Sequence, residues 1–154
     1  MLRAIDTPVG RLVLEAREGA ITRLGWDSLP ESEGDAADAA LLEEAAGQLS
    51  AYFEGSRQVF DLPLRVAGSA LQQAVCAEMA AIPFGETRTY GDLAKRLGRP
   101  AQAIGQACGG NPIPVIIPCH RVLGATGLGG FSGAGGVETK VALLRHEGAA
   151  GLLI

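Results

Sequence analysis

The run Tyr90-Gly91-Asp92-Leu93-Ala94-Lys95-Arg96-Leu97, then Gly98-Arg99, then Pro100-Ala101-Gln102-Ala103-Ile104-Gly105-Gln106-Ala107-Cys108 reads as two short helices joined by two residues. Pro100 suits a first helical position, where its missing N–H is not needed. Two helices across a glycine turn have the outline of a helix-turn-helix, whose second helix enters a DNA groove. Helical hairpins of this length also occur inside cores, so the shape alone leaves both readings open. The second helix carries small, uncharged side chains, and only Gln102 and Gln106 are long and polar enough to reach base edges. That composition fits close backbone approach to a narrow groove better than sequence reading.

Working outward, Ser69 is a candidate N-cap for a preceding helix that Pro83-Phe84-Gly85 stops. Before it, three short runs, Leu2 to Thr7, Arg11 to Arg17 and Ala20 to Trp26, are separated by Pro8-Val9-Gly10 and Glu18-Gly19, the pattern of a β-meander. Ser28 to Asp38 is acidic and rich in Ser, Gly and Pro, and reads as a loop. Leu41, Leu42, Ala45, Ala46, Leu49 and Phe53 recur at helical spacing up to Gly55, which gives a helix covering the sheet. Val59 to Leu64 is extended. On the other side, Gly109 to Gly136 is nearly all loop chemistry around the apolar run Val115-Ile116-Ile117, and Val137 to Glu147 forms a last helix closed by Gly148. The chain is therefore expected to be α+β, with an N-terminal α/β domain over 1–66 and a helical domain over 67–154.

The 154 residues are 47% hydrophobic, enough for a core. No apolar run approaches the roughly 20 residues that span a bilayer, and Met1-Leu2-Arg3-Ala4-Ile5-Asp6 lacks the design of a secretory signal. A cytoplasmic protein with no membrane partner is expected. Three widely spaced cysteines and two histidines give neither a disulfide framework nor a zinc cluster, so no metal and no cofactor are expected. The net charge of −4 is unusual for a nucleic-acid binder, but it is unevenly placed. Met1 to Pro63 carries −7 and Leu64 to Ile154 carries +3, a split that ordinary surface variation could also produce.

Chemistry gathers in Ile117-Pro118-Cys119-His120-Arg121-Val122. A free thiol is only about 3% ionised at pH 7, so a nucleophile needs a base or a positive neighbour. His120 follows Cys119 directly, but neighbours in a strand face opposite ways, so a turn or a bridging water would be required. Residue chemistry alone leaves Cys119 as either a nucleophile or a buried small hydrophobe. Cys76 and Cys108 read as buried hydrophobes. Glu147 could orient His120 as the third member of such an array.

These residues resemble the methylated-DNA–protein-cysteine methyltransferases, or O6-alkylguanine-DNA alkyltransferases. The likeness runs through Phe84-Gly85-Glu86-Thr87-Arg88-Thr89-Tyr90-Gly91-Asp92-Leu93-Ala94, Asn111-Pro112, Ile117 to Leu123, Gly130-Phe131-Ser132-Gly133 and Leu143-Leu144-Arg145-His146-Glu147-Gly148. It is strong from Ser69 to Ala149 and in outline only before that. The resemblance implies a ribonuclease-H-like N-terminal sheet and helix, then a helical domain whose helix-turn-helix docks in the minor groove of double-stranded DNA. A monomer would flip an O6-alkylguanine out of the stack and take its alkyl group irreversibly onto Cys119. By position, His120 acts as base through a water, Glu147 orients it, Asn111 supports the active-site turn, and Tyr90 crowds the 3′ phosphate and hydrogen-bonds the flipped base. Val122 (through its backbone), Phe131 and Ser132 would line the substrate, Arg121 would mainly brace the loop, and Tyr90, Gln102, Gln106, Gly109 and Arg121 would lie on the DNA side.

Two departures from the family pattern stand out. Relatives often insert an arginine where the base has left the stack, and alignment back from Asn111-Pro112 puts Cys108-Gly109 there. The loop Phe131-Ser132-Gly133-Ala134-Gly135-Gly136 begins with Phe in place of the usual Tyr and is about two residues longer. Zinc ligands found in some relatives are missing. Two rival readings are a lesion sensor without transfer, whose known examples replace the cysteine, and a Cys-His hydrolase, for which no oxyanion-hole motif beyond a Gly-rich loop is present.

Overall fold

A computed structural model describes residues 1–131 and 133–149. The chain forms two compact units, Met1–Val66 and Ala67–Ile154. In the first, β1 (Leu2–Thr7), β2 (Gly10–Arg17) and β3 (Ala20–Trp26) form an antiparallel meander in the order β1-β2-β3. The β2–β3 turn has Glu18 at φ 48° and Gly19 at φ 81°, the doubly left-handed geometry whose twist matches a hairpin. The register slips after Glu15, which pairs with Arg23 while Ala16 pairs with Ile21. The skipped Thr22 turns its hydroxyl onto the buried Glu15 carboxylate at 2.7 Å, so this bulge satisfies a core acid.

The covering helix α1 (Ala36–Glu54) begins inside the stretch expected to be loop. Asp35 and Asp38 form a reciprocal capping box, which ends the loop three residues before Asp38. Its buried face runs through Leu42, Ala45, Ala46, Leu49 and Tyr52; Phe53, the expected last contact, is half-buried. The returning segment bridges Leu64 to Ile21 and is clamped by Gln48, which both donates to and accepts from the Asp61 backbone.

In the second unit α2 (Ala70–Ala80) is capped by Ser69 as expected. The short strand β4 (Arg88–Thr89) leads into α3 (Tyr90–Leu97), and α4 (Ala101–Gly109) follows after Gly98-Arg99. Pro100 is the residue before α4, not its first helical position, and the helix runs one residue beyond Cys108. The core between these helices is Val75, Met79, Leu93, Ile104 and Ile113, with Leu143 and Leu144 of α5 (Val137–Glu147) also fully buried. The expected long loop contains two ordered pieces: a 3-10 turn at Cys119–Arg121 and β5 (Val122–Leu123), which pairs in parallel with β4. A two-residue strand has no periodicity to read, which is why the sequence hid it. Among the described residues no helix is long and apolar enough to cross a membrane.

Candidate active site

The turn bearing Cys119 is built by backbone geometry. Val115, 1% exposed, sits at φ 71°, a conformation that costs a β-branched residue on the order of 1–3 kcal/mol and persists only where packing enforces it. Pro118 at φ −81°, ψ 69°, with Cys119 N–H donating to the Ile117 carbonyl at 2.8 Å, makes an inverse γ-turn. Arg121 N–H then closes the 3-10 turn on the Pro118 carbonyl at 3.0 Å. Asn111 staples the arrangement from the side: its amide donates to the Ile117 carbonyl at 2.8 Å and its oxygen accepts the Ile113 N–H at 3.0 Å.

Behind the turn lies a buried ionic array. His120, wholly buried, faces Glu147 through Nε2 at 2.8 Å from Oε2. Arg121 grips the same carboxylate in a bidentate fork, Nε to Oε1 at 2.8 Å and Nη2 to Oε2 at 2.9 Å, and gives Nη1 to the Ile82 carbonyl at 2.6 Å. Its charge also lies 5.8 Å over the Phe84 ring. Desolvation works against the Glu147 carboxylate, but His120 and Arg121 overcome it and hold its pKa at about 2. Burial pulls His120 below its ordinary value, so the imidazole is neutral at pH 7. With Nε2–H directed at Glu147, Nδ1 is a bare acceptor, and among the described residues it is buried with no hydrogen-bond partner.

Cys119, Tyr90, Gly109 and Phe131 come together with Gly105, Cys108 and Gly130 around one cavity of about 470 Å³, a size that accommodates a small planar ligand. Burial pushes the Cys119 thiol up, against downward pulls from the Asn111 amide and the Lys140 charge. The thiol is thus held protonated until a base acts. Burial and the two neighbouring thiols push the Tyr90 phenol up, so it remains a donor, and burial raises Cys108 to about 12. Gly129 at φ 71° brings backbone against the Tyr90 ring so closely that a Cβ there would lie 3.0 Å from it.

Gln102, Gln106 and Gly109 lie exposed along α4, with Gly105 half-buried in the same stripe. Added Cβ atoms at Gly105 and Gly109 would meet nothing within 4 Å. The position expected to hold an inserted finger therefore has no side chain and opens into the cavity. Arg121 is corrected as a DNA-side residue: it is buried and its donors point inward. Val122 is fully buried and is not among the described residues that line this cavity; its N–H donates to the Cys119 carbonyl and its own carbonyl accepts from Lys140. Ser132 lies outside the described residues. Lys140 escaped sequence reasoning: it is wholly buried, donating to the Val122 carbonyl at 2.6 Å and the Gly130 carbonyl at 3.0 Å. Its place on the inward face of a helix was the one available signal. Among the described residues no three His, Cys, Asp or Glu side chains could hold a metal ion.

A helix-turn-helix beside a cavity with a buried thiol, backed by a histidine and a carboxylate, is the architecture of a protein that acts on a group drawn out of a nucleic acid. Residues 2–66 match the family described as 6-O-methylguanine DNA methyltransferase, ribonuclease-like domain, and residues 70–149 match its DNA binding domain. The methylated-DNA–protein-cysteine methyltransferase of Mycolicibacterium paratuberculosis is 40% identical over 94% of this chain and 90% of its own length. The constitutive enzyme of that name from Bacillus subtilis is 38% identical over 92% of each. The Mycobacterium tuberculosis OGT structure in complex with DNA superposes with a TM-score of 0.83 at 40% identity, over 96% of this chain and 92% of that one. The chain belongs to the methylated-DNA–protein-cysteine methyltransferase family.

Proposed function

We propose that this chain carries out its family's direct-reversal DNA repair by taking the alkyl group of an O6-alkylguanine onto Cys119, once and irreversibly. The observation that carries this reading is the buried, unpartnered Nδ1 of His120, one residue from a thiol on a cavity wall, with Nε2 anchored on Glu147. A neutral imidazole so oriented is a base. The Cys119 S–H proton passes through a water to Nδ1, the sulfur attacks the alkyl carbon, the C–O6 bond breaks with its electron pair going to the guanine, which takes up a proton and leaves neutral, and a thioether remains on Cys119. Glu147 stabilises the imidazolium, Tyr90 donates a hydrogen bond to the departing base, and Asn111 keeps the turn in place. Phe131 walls the cavity. The thioether has no easy return path, so each molecule acts once.

O6 is unreachable inside a duplex, so the guanine is flipped into the cavity. The stripe Gln102, Gly105, Gln106 and Gly109 supports docking in the minor groove: two helical glycines that nothing in the chain requires leave room for a close surface. Tyr90 then stands at the mouth of the cavity beside the phosphate, and the exposed Lys95 and Arg99 at the helix-turn-helix supply backbone contacts. Residues 67–154 are the DNA-binding and alkyl-acceptor domain, and 1–66 the N-terminal α/β domain. Action as a monomer in the cytoplasm is part of the same reading, and the three free cysteines fit that reducing compartment.

The test is incubation with a duplex bearing O6-methylguanine, followed by mass spectrometry of the Cys119 peptide. One added methyl per molecule with loss of the lesion is expected. Lesion binding with no mass change, or repeated turnover on an ester, would overturn the reading in favour of a sensor or a hydrolase.

A further inference from the structure

Lys140 has no role in the proton relay, yet it is a wholly buried lysine. A buried ammonium is tolerated when it is paired or fully hydrogen-bonded. Lys140 has the carbonyls of Val122 and Gly130 and, 5.9 Å away, the face of the Tyr90 ring. Among the described residues it forms no ion pair with a carboxylate; the groups whose charge it feels are the thiols of Cys119 and Cys108. Both carbonyl partners border the reaction: Val122 follows the nucleophile turn directly, and Gly130 lines the cavity.

We propose that Lys140 is a positioning residue for the transfer: its ammonium ties the Val122 strand to the Gly130 wall and is the positive charge against which the Cys119 thiolate forms. The inference rests on the reading of Cys119 as acceptor. The groups acting on Cys119 are Lys140 from α5, the Asn111 amide beside the turn and the Cys76 thiol of α2. Those acting on His120 are Glu147, Arg121 and Lys140, where the attraction of Glu147 outweighs the two like charges. Tyr90 feels Cys108 and Cys119. Among the described residues Lys140 is thus the cation that acts on the thiol, and methyl transfer, which turns the thiolate into a neutral thioether, removes the anion it faces.

The alkylation rate of the Cys119 peptide by iodoacetamide, followed across pH by mass spectrometry, measures thiol ionisation without DNA. K140M should raise the midpoint by about one pH unit and slow methyl transfer at pH 7 about tenfold, while K140R stays near the wild type. A purely structural role would change the limiting rate at high pH and leave the midpoint in place, and that result overturns the proposal. Should K140M fail to fold, the wild-type chain still decides, because Lys95 and Lys140 are its only lysines. By linkage, the 15N-detected titration of Lys140 should fall when Cys119 is methylated, and an unmoved titration overturns the proposal. If wild-type Cys119 accepts no methyl group, the acceptor reading fails instead, and the iodoacetamide midpoints still report on Lys140.

Discussion

The two units bury polar groups for opposite purposes. In Met1–Val66 the buried polar side chains are Glu15, Asp38 and Gln48, and each is satisfied locally: by the Thr22 hydroxyl of the bulge, by the Gly19 and Asp35 N–H groups, and by the Asp61 backbone. Among the described residues from Ala67 onward the buried polar ones are Asn111, His120, Arg121, Lys140 and Glu147, and four of these carry or exchange charge. The first set closes hairpins and caps. The second set surrounds one thiol and leaves one acceptor, His120 Nδ1, unbonded. Buried charge is costly, so its concentration around Cys119 marks where this fold accepts lower stability in exchange for reactivity.

The largest effect that would sharpen this contrast is at Glu147. E147A leaves Arg121 and His120 buried without their anion and should lower unfolding free energy by about 3–5 kcal/mol, read by urea denaturation. E147Q keeps much of the shape, and should slow single-turnover methyl transfer by about 10²-fold while DNA affinity is preserved. Loss of binding instead would mean that Glu147 shapes the DNA surface. In the first unit, L49A removes a fully buried side chain from α1 and should cost about 2–5 kcal/mol, with the transfer rate per folded molecule unchanged. A slowed rate in folded L49A would break the division between the units.

Acid should act in the same direction on both members of the His120–Glu147 pair. Each has a folded-state pKa below its unfolded one. The stabilisation is complete above the unfolded values, near 6.5 for the imidazole and 4.5 for the carboxyl. It is lost as pH falls below them, for Glu147 down to about 2. The urea midpoint should therefore decline from pH 7 to pH 3, less steeply in E147Q. Equal slopes would show that the array does not govern acid stability. Methyl transfer should slow as His120 protonates. The smallest expected effect is G105A, which adds a Cβ where nothing touches it: helix propensity should raise stability by about 0.5–1 kcal/mol, while affinity for duplex DNA falls. Unchanged affinity would remove α4 from the DNA surface.

Much of the fold is legible from local pattern. Alternation and the Glu18-Gly19 turn gave the meander, helical spacing gave α1 to α5, and Ser69 gave a cap, because each depends on residues within a few positions of one another. The segment carrying Cys119, His120, Asn111 and Glu147 was legible through motif order, and their geometry is now specific: a γ-turn, a 3-10 turn and an anchored imidazole. The partners of Arg121 and the place of Lys140 were not legible. The resemblance implied that Arg121 mainly braces the loop, but nothing local says that it turns to Ile82, 39 residues back, or that Lys140 reaches Val122, 18 residues back.

The sequence by itself determined the three strands of the first unit and the five helices, since propensity, periodicity and capping act over single turns of chain, and its motif order singled out Cys119. Only the tertiary structure decided which polar groups face one another across the second unit. It buried a lysine that no local pattern had singled out, chose the partners of the bracing Arg121, paired Val122-Leu123 with Arg88-Thr89, and opened a cavity where the finger position is glycine. Those outcomes depend on desolvation and on contacts between distant segments, which a reading of successive residues does not contain.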